Sequence, residues 1–218
     1  MRILIACEES QTVCKAFRKL GFEAYSCDIQ ECSWGHPEWH IQWDAITEAY
    51  SWKYDMMIAH PPCTYLSNAW ANHLYKWGVL NQERYLKGME WKDFFMKLLD
   101  APIKYIAVEN PVQSTIFWIR KYDQTVEPYY FWDAHKKRTC LWLKNLPHLE
   151  KTNEVNPIPV WYYLTWPKAW KPYYFTDWAK WGKERQKNRS KTFQWIADAM
   201  AGQWWEFITN PPSRVEPK

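Results

Sequence analysis

Along the chain, short unbroken apolar runs alternate with stretches whose apolar residues recur every three or four positions. That is the pattern of an α/β protein with a mostly parallel sheet. Ile3 to Cys7 is wholly apolar and reads as a buried strand. Over Thr12 to Leu20, the residues Val13, Ala16, Phe17 and Leu20 fall on one helical face, and Gly21 follows where helices commonly stop. Glu23 to Cys27 forms a second strand with Asp28 at its end, and 30–43 is irregular. Met56 to Ala59 is a short strand running into His60-Pro61-Pro62-Cys63, where two prolines stop the ladder and fix the loop. Gln82 to Leu99 reads as a long helix with Tyr85, Met89, Phe95, Met96 and Leu99 on one face. Tyr105 to Val108 is the next strand, ended by Glu109-Asn110-Pro111, and Thr139 to Leu143 is a later one. Residues 145–182 show no clean period and read as loops. Phe193, Ile196, Ala197, Met200, Ala201 and Trp204 mark a last helix with Ser190 as its cap, and the tail from Asn210 reads as frayed.

A composition of 47% hydrophobic and 24% charged residues excludes disorder and fibrous classes. No run approaches the ~20 apolar residues of a membrane span. The first strand meets Glu8-Glu9-Ser10 rather than a signal-peptide core, so the expectation is a cytoplasmic protein with no membrane partner. Six Cys without regular spacing point to thiols rather than a disulfide framework. A net charge of +4 selects no partner. What does change the picture is 18 Trp against 6 Gly, where average usage gives roughly fifteen Gly for this length.

Asp28, Cys63 and Glu109 all follow expected strands, and ligands bind at the carboxyl ends of strands in an open α/β sheet. A carboxylate placed like Asp28 either accepts hydrogen bonds from a nucleoside ribose or is a solvated loop residue; position leaves both open. Cys63, after two prolines, has a rigid backbone suited to aiming a nucleophilic thiol. Buried structural cysteine is the competing reading. Glu109 offers a carboxyl for proton donation or a hydrogen-bond clamp.

Together, Pro61-Pro62-Cys63-Thr64-Tyr65-Leu66-Ser67 and Glu109-Asn110-Pro111-Val112 resemble the signature of the cytosine-5 DNA methyltransferases. In that family Pro-Pro-Cys-x-x-Phe-Ser follows one strand and Glu-Asn-Val the next. Residues 3–10 and 188–193 look like a compact phage and prophage group within the family, expressed in a bacterial host. The resemblance covers residues 1 to about 145 and 185 to 205. It implies a Rossmann-like S-adenosylmethionine-dependent methyltransferase fold, a mostly parallel central sheet flanked by helices. S-Adenosyl-L-methionine is the implied cofactor and DNA the implied partner, either a duplex with a flipped cytosine or a single strand. By the same likeness Cys63 attacks carbon 6 of cytosine, Glu109 serves ring nitrogen 3, and Arg138 in Lys136-Lys137-Arg138 holds the base. Asp28 takes the ribose and Asp44 the adenine amino group, with Pro61 bordering the cofactor and Ser67, Asn110 and Lys136 on the substrate side. The catalytic domain is expected over 1–145 and 185–208. Residues 146–184 are then an inserted region that reduces the DNA-recognition element, 209–218 a flexible tail, and the protein a monomer.

The chain departs from the family in places. Ala6-Cys7-Glu8-Glu9-Ser10 replaces the glycine-rich first motif, leaving Glu8 or Ser10 to hold the methionine end of the cofactor. Lys151, Lys168, Lys171, Lys180 and Lys183 stand among aromatics, which suits phosphate contact with base stacking or simply a solvated surface. Cys27, Cys32, His36 and His40 do not match common zinc spacings, so no metal is expected. Competing readings are a binding protein that kept the fold without catalysis, and an amino-group DNA methyltransferase. Against the latter, His60 and Cys63 both break the Asp/Asn/Ser-Pro-Pro-aromatic pattern. Finally, Trp34, Trp77, Trp118 and Trp132 sit in turn-like contexts, Trp43 and Trp195 where the resemblance has Gly, and Trp70 follows the Cys63 loop in a Ser-Asn-Ala-Trp run. UGA codons for glycine read as Trp would account for them.

Overall fold

The computed structural model describes residues 1–33, 35–159, 161–165, 169–173 and 192–211. Seven strands make the central sheet: β1 (Arg2–Ala6), β2 (Glu23–Asp28), β3 (His40–Gln42), β4 (Met56–Ala59), β5 (Tyr105–Asn110), β6 (Gln124–Val126) and β7 (Thr139–Lys144). Their order across the sheet is β3-β2-β1-β4-β5-β7-β6. The five from β3 to β5 pair in parallel, while β7 runs antiparallel to both neighbours. The chain therefore winds outward from β1 to one edge, then crosses to β4 and winds outward to the other. This is a doubly wound, Rossmann-like sheet with a reversed strand inserted near one edge.

Period-two alternation buries both faces of the sheet. Ile3, Ile5, Met56 and Ile58 face a cluster completed by α1 (Thr12–Lys19) and α4 (Gln194–Thr209), through Val13, Phe17, Met200 and Trp204. Leu4, Ala6, Met57 and Ala59 face the opposite cluster, with α2 (Ala45–Ala49) and α3 (Gln82–Leu99) contributing Ala45, Phe95 and Leu98. The α/β class and the mostly parallel sheet thus stand as expected.

The structure departs from the sequence expectations in several places. β5 runs two residues past Val108, because Glu109 pairs with Leu141 and Asn110 with Cys140 on β7. The irregular stretch 30–43 holds a 3-10 turn, Pro37–Trp39, and β3; with α2 and β6 these elements are too short to show a period. Residues 145–182 are not all loop, since Trp161–Thr165 pairs antiparallel with Ala169–Tyr173. Before that hairpin, Leu146 and Leu149 are buried in the α1/α4 cluster, and the Trp204 indole N–H donates to the Pro147 carbonyl. The last helix starts at Gln194 with Phe193 as its N-cap and continues to Thr209. Ser190, Lys168, Lys180, Lys183 and Trp34 lie outside the described residues.

Ten described residues have positive φ: Gly21, Gly35 and Gly78, the four tryptophans Trp52, Trp77, Trp118 and Trp132, and Cys7, Gln11 and Asn145. The four tryptophans are 57–93% exposed. Trp142 and Trp204 are instead buried to 2% or less, and their indole N–H groups are satisfied.

Candidate active site

Ligand crevices in such sheets open beyond the carboxyl ends of the strands, where the winding direction reverses. Here that point lies between β1 and β4, and the residues that follow them meet the end of β5. His60 extends β4 by one residue, its backbone N–H donating to the Ala6 carbonyl at 2.9 Å. Pro61 then forces an extended entry into the cysteine loop. Past Cys63 the chain turns back, with the Ser67 amide donating to the Cys63 carbonyl at 3.1 Å.

This loop is fastened to the end of β5 at four points. The His60 Nδ1 lies 3.0 Å from Glu109 Oε2, with both side chains at most 10% exposed. The Asn110 side-chain N–H donates to the Pro61 carbonyl at 2.7 Å. Ser67 forms a bridge with Gln113, and the Ser114 amide donates to the Leu66 carbonyl at 2.9 Å. The two motifs separated by some forty residues of sequence are thus one structural unit. Cys63 is half-buried in it, and none of the six cysteines is in a disulfide.

Burial pushes the Glu109 carboxyl up, but the hydrogen bond to His60 and the positive charges of Lys137 and His60 outweigh it, so the group sits below its ordinary value. In the basic segment before β7, Lys137 is the cation whose charge acts on Glu109. Arg138 is 66% exposed with its Nε 3.6 Å from Glu127 Oε1, and Lys136 is exposed. Register explains the arrangement: Asn110 pairs with Cys140, so the basic segment before β7 arrives beside Glu109. His60 and Lys137 were not singled out from sequence. Their signal was adjacency, His60 to the two prolines and Lys137 to Arg138.

At the end of β1, Cys7 and Gln11 hold φ of 59° and 57°, so the loop makes its turn without glycine. Glu8 is buried, and its carboxylate accepts the Val13 amide at 2.7 Å and the Cys14 amide at 3.2 Å. It thereby occupies the N-terminus of α1. Burial raises the Glu8 carboxyl, against the opposing charge of His60 and those two amides. Ser10 is buried and pairs its hydroxyl with that of Thr12 at 3.2 Å. Asp28 ends β2, one oxygen accepting the Gln30 amide at 2.9 Å. Asp44 caps α2, accepting the Thr47 amide and hydroxyl at 2.7 Å each. Asp28 and Asp44 both raise the Cys7 thiol, after the larger effect of its burial, which puts both carboxylates around the β1 loop.

Four side chains of these loops bury polar atoms without a partner: Gln11 Oε1, His60 Nε2, Asn110 Oδ1 and both side-chain polar atoms of Gln113. Native proteins satisfy most such atoms, with protein groups or ordered water. No group of three or more potential metal ligands converges among the described residues. Of the four residues with zinc-like types, His36 contacts Glu38, His40 contacts Ser26 and the Gln30 carbonyl, and the Cys27 thiol meets the Trp43 carbonyl. No helix among the described residues is long and apolar enough to cross a membrane.

No family model matches the chain, and no curated protein matches it. Among solved structures it is similar to a mutant of Spodoptera frugiperda DNMT2, at 14% identity and a TM-score of 0.37. That likeness covers 72% of this chain and 55% of the other, so the chain spans little more than half the length of that relative. At that level it carries no argument, and the sheet order and the loop geometry stand on their own.

Proposed function

We propose that the protein transfers a methyl group from S-adenosyl-L-methionine to carbon 5 of cytosine in DNA, through a covalent Cys63 adduct at carbon 6. The observation that carries this reading is the joint between the Pro61-Pro62-Cys63 loop and the Glu109-Asn110 strand end, made by the His60–Glu109 and Asn110–Pro61 contacts. It brings a nucleophile loop and a buried carboxyl together at the switch point of the sheet.

The residues around the β1 and β2 ends fit the cofactor, which when bound supplies an electrophilic methyl on a sulfonium. Glu9, Asp28 and Asp44 make that end of the crevice acidic, complementary to a cationic sulfonium and ammonium. Asp28 keeps one oxygen for a ribose hydroxyl. Glu8 fills the helix N-terminus itself and so shapes the loop rather than leaving its amides to a carboxylate ligand.

Carbon 5 of cytosine is a weak nucleophile until a group adds at carbon 6. The Cys63 thiolate forms the sulfur–carbon 6 bond, and the displaced electron pair is stabilised at ring nitrogen 3 by Glu109. Carbon 5 then takes the methyl. Loss of the carbon 5 proton expels the Cys63 thiolate and restores the ring. Carbon 6 is hidden in a stacked duplex, so the base is flipped out or the substrate is single-stranded. The hairpin Trp161–Thr165/Ala169–Tyr173 exposes Tyr162, Trp170 and Lys171, a set suited to strand contact by stacking and charge.

Co-expression with plasmid DNA followed by bisulfite sequencing tests the reading. Protected cytosines are expected with the native protein and none with Cys63→Ser. Plasmid fully converted in the presence of the folded native protein would refute it.

A further inference from the structure

The mechanism leaves His60 unused, although it is buried at the site in contact with Glu109. Its backbone is locked by the hydrogen bond to Ala6, and its ring is 8% exposed with Nδ1 against Glu109 at 3.0 Å. The Thr192 hydroxyl stands 3.5 Å from the same nitrogen. Nε2 is buried without a partner. Glu8 faces the ring from the β1 loop, Glu109 from β5, and Lys137 acts on Glu109 from the segment before β7.

Resting on the proposed methyl transfer, we propose that His60 is a positioning residue that orients Glu109 and keeps it supplied with the proton it gives to ring nitrogen 3. An ionised carboxylate accepts hydrogen bonds and donates none, so a Glu109 held ionised by its neighbours needs a proton from elsewhere. His60 is the group in contact, its Nδ1 3.0 Å from Glu109 Oε2. As the Cys63 sulfur bonds to carbon 6, the His60 Nδ1 proton moves onto the Glu109 carboxylate, and the carboxyl so formed gives it to nitrogen 3, where the displaced electron pair arrives, leaving Glu109 ionised and His60 neutral. When the thiolate leaves, nitrogen 3 returns its proton to Glu109 and Glu109 returns one to His60. The pair ends the cycle as it began, and the carbon 5 proton leaves separately to water.

His60→Asn keeps a short side-chain N–H donor for Glu109 but cannot titrate. With the melting temperature retained, kcat is expected to fall about 10²-fold or more, the usual scale of acid–base assistance, with KM little changed. The pH profile of kcat should also change, because a side chain able to give and take a proton is gone. An active wild type whose His60→Asn variant keeps both kcat and pH profile overturns this role alone. A wild type with no methyl transfer sinks the function and the role together. Nitrogen NMR of the His60 ring checks the pair in the intact protein: a proton on Nδ1 directed at Glu109 is expected, with its signal altered in Glu109→Gln. A ring that stays neutral beside an ionised Glu109 also overturns the proposal.

A second inference rests on the backbone. Trp77 and Gly78, with φ of 54° and 79°, form the two-residue turn that joins Tyr75–Lys76 to Val79–Leu80. Two positive φ values there define a type I′ turn, which selects Asn-Gly or Gly-Gly. Trp118 caps the 3-10 turn Thr115–Phe117 in the left-handed conformation, the place where glycine ends helices. Trp52 and Trp132 have φ of 62° and 70° on exposed turns. An indole side chain is the wrong occupant for all four and gains little burial in exchange. We infer that Trp52, Trp77, Trp118 and Trp132 are glycine positions, encoded by UGA. Codons of the gene and peptide masses of the protein from its own host test this. UGA codons and glycine masses are expected; UGG at these four positions overturns it.

Discussion

Replacing all four left-handed tryptophans at once, Trp52→Gly, Trp77→Gly, Trp118→Gly and Trp132→Gly, is expected to stabilise this chain. Holding a non-glycine residue in the left-handed region costs about 1–3 kcal/mol. Glycine returns about 0.5–1 kcal/mol of that through the greater freedom of the unfolded chain. Exposures of 79, 93, 86 and 57% mean that little apolar area goes back to water, Trp132 losing most, with its ring 6.5 Å from that of Trp195. A net gain of about 0.5–2 kcal/mol per site, adding over sites that share no partners, comes to roughly 2–8 kcal/mol. For a chain of this size that is a rise in melting temperature of at least about 4 °C. Thermal melts by circular dichroism read it without relying on indole fluorescence. Trp204→Gly is the control: fully buried, it should lose at least about 3–5 kcal/mol. A fourfold variant that melts no higher than the parent would refute the backbone reasoning.

Asn110→Ala removes the bond to the Pro61 carbonyl, costs about 1–3 kcal/mol by denaturant unfolding, and lowers methyl transfer by loosening the Cys63 loop; unchanged stability would count against the joint. Because Glu109 titrates below its ordinary value of 4.5 in the fold, its stabilisation is full above that pH and is lost as pH falls through the depressed value. Glu109→Gln should therefore flatten the acid limb of a stability–pH curve, and an unaltered limb would deny the stabilising contact of Glu109 with His60. Gly88→Ala sets a Cβ in overlap with the edge of the Phe117 ring and should destabilise by about 1–3 kcal/mol, seen as a lower urea midpoint.

Much of the fold was legible because its longer elements are periodic. Gln82–Leu99 and Met56–Ala59 match the pattern residue for residue. β3, α2 and β6 are three to five residues long, too short for a period to show, and owe their form to neighbours in the sheet. For the candidate site, Cys63 and Glu109 could be picked out because each follows a strand-forming apolar run. Their mutual fastening could not: the His60–Glu109 and Asn110–Pro61 contacts each span 49 residues. Glu8 was expected at the cofactor, but its carboxylate completes the first turn of α1, a use visible only once the loop folds back.

The reversed direction of β7 carries a consequence for how such sheets are searched. In a parallel strand the chemistry hangs from the exit, so one looks just downstream of each apolar run. β7 enters the crevice end first and leaves at the far side, and its contribution to the site is therefore written upstream of its apolar run, in Lys136-Lys137-Arg138. Insertions after Lys144 fall at the opposite end of the strands from Glu109, whereas a single added residue between Lys137 and Thr139 would rotate the charge that reaches it.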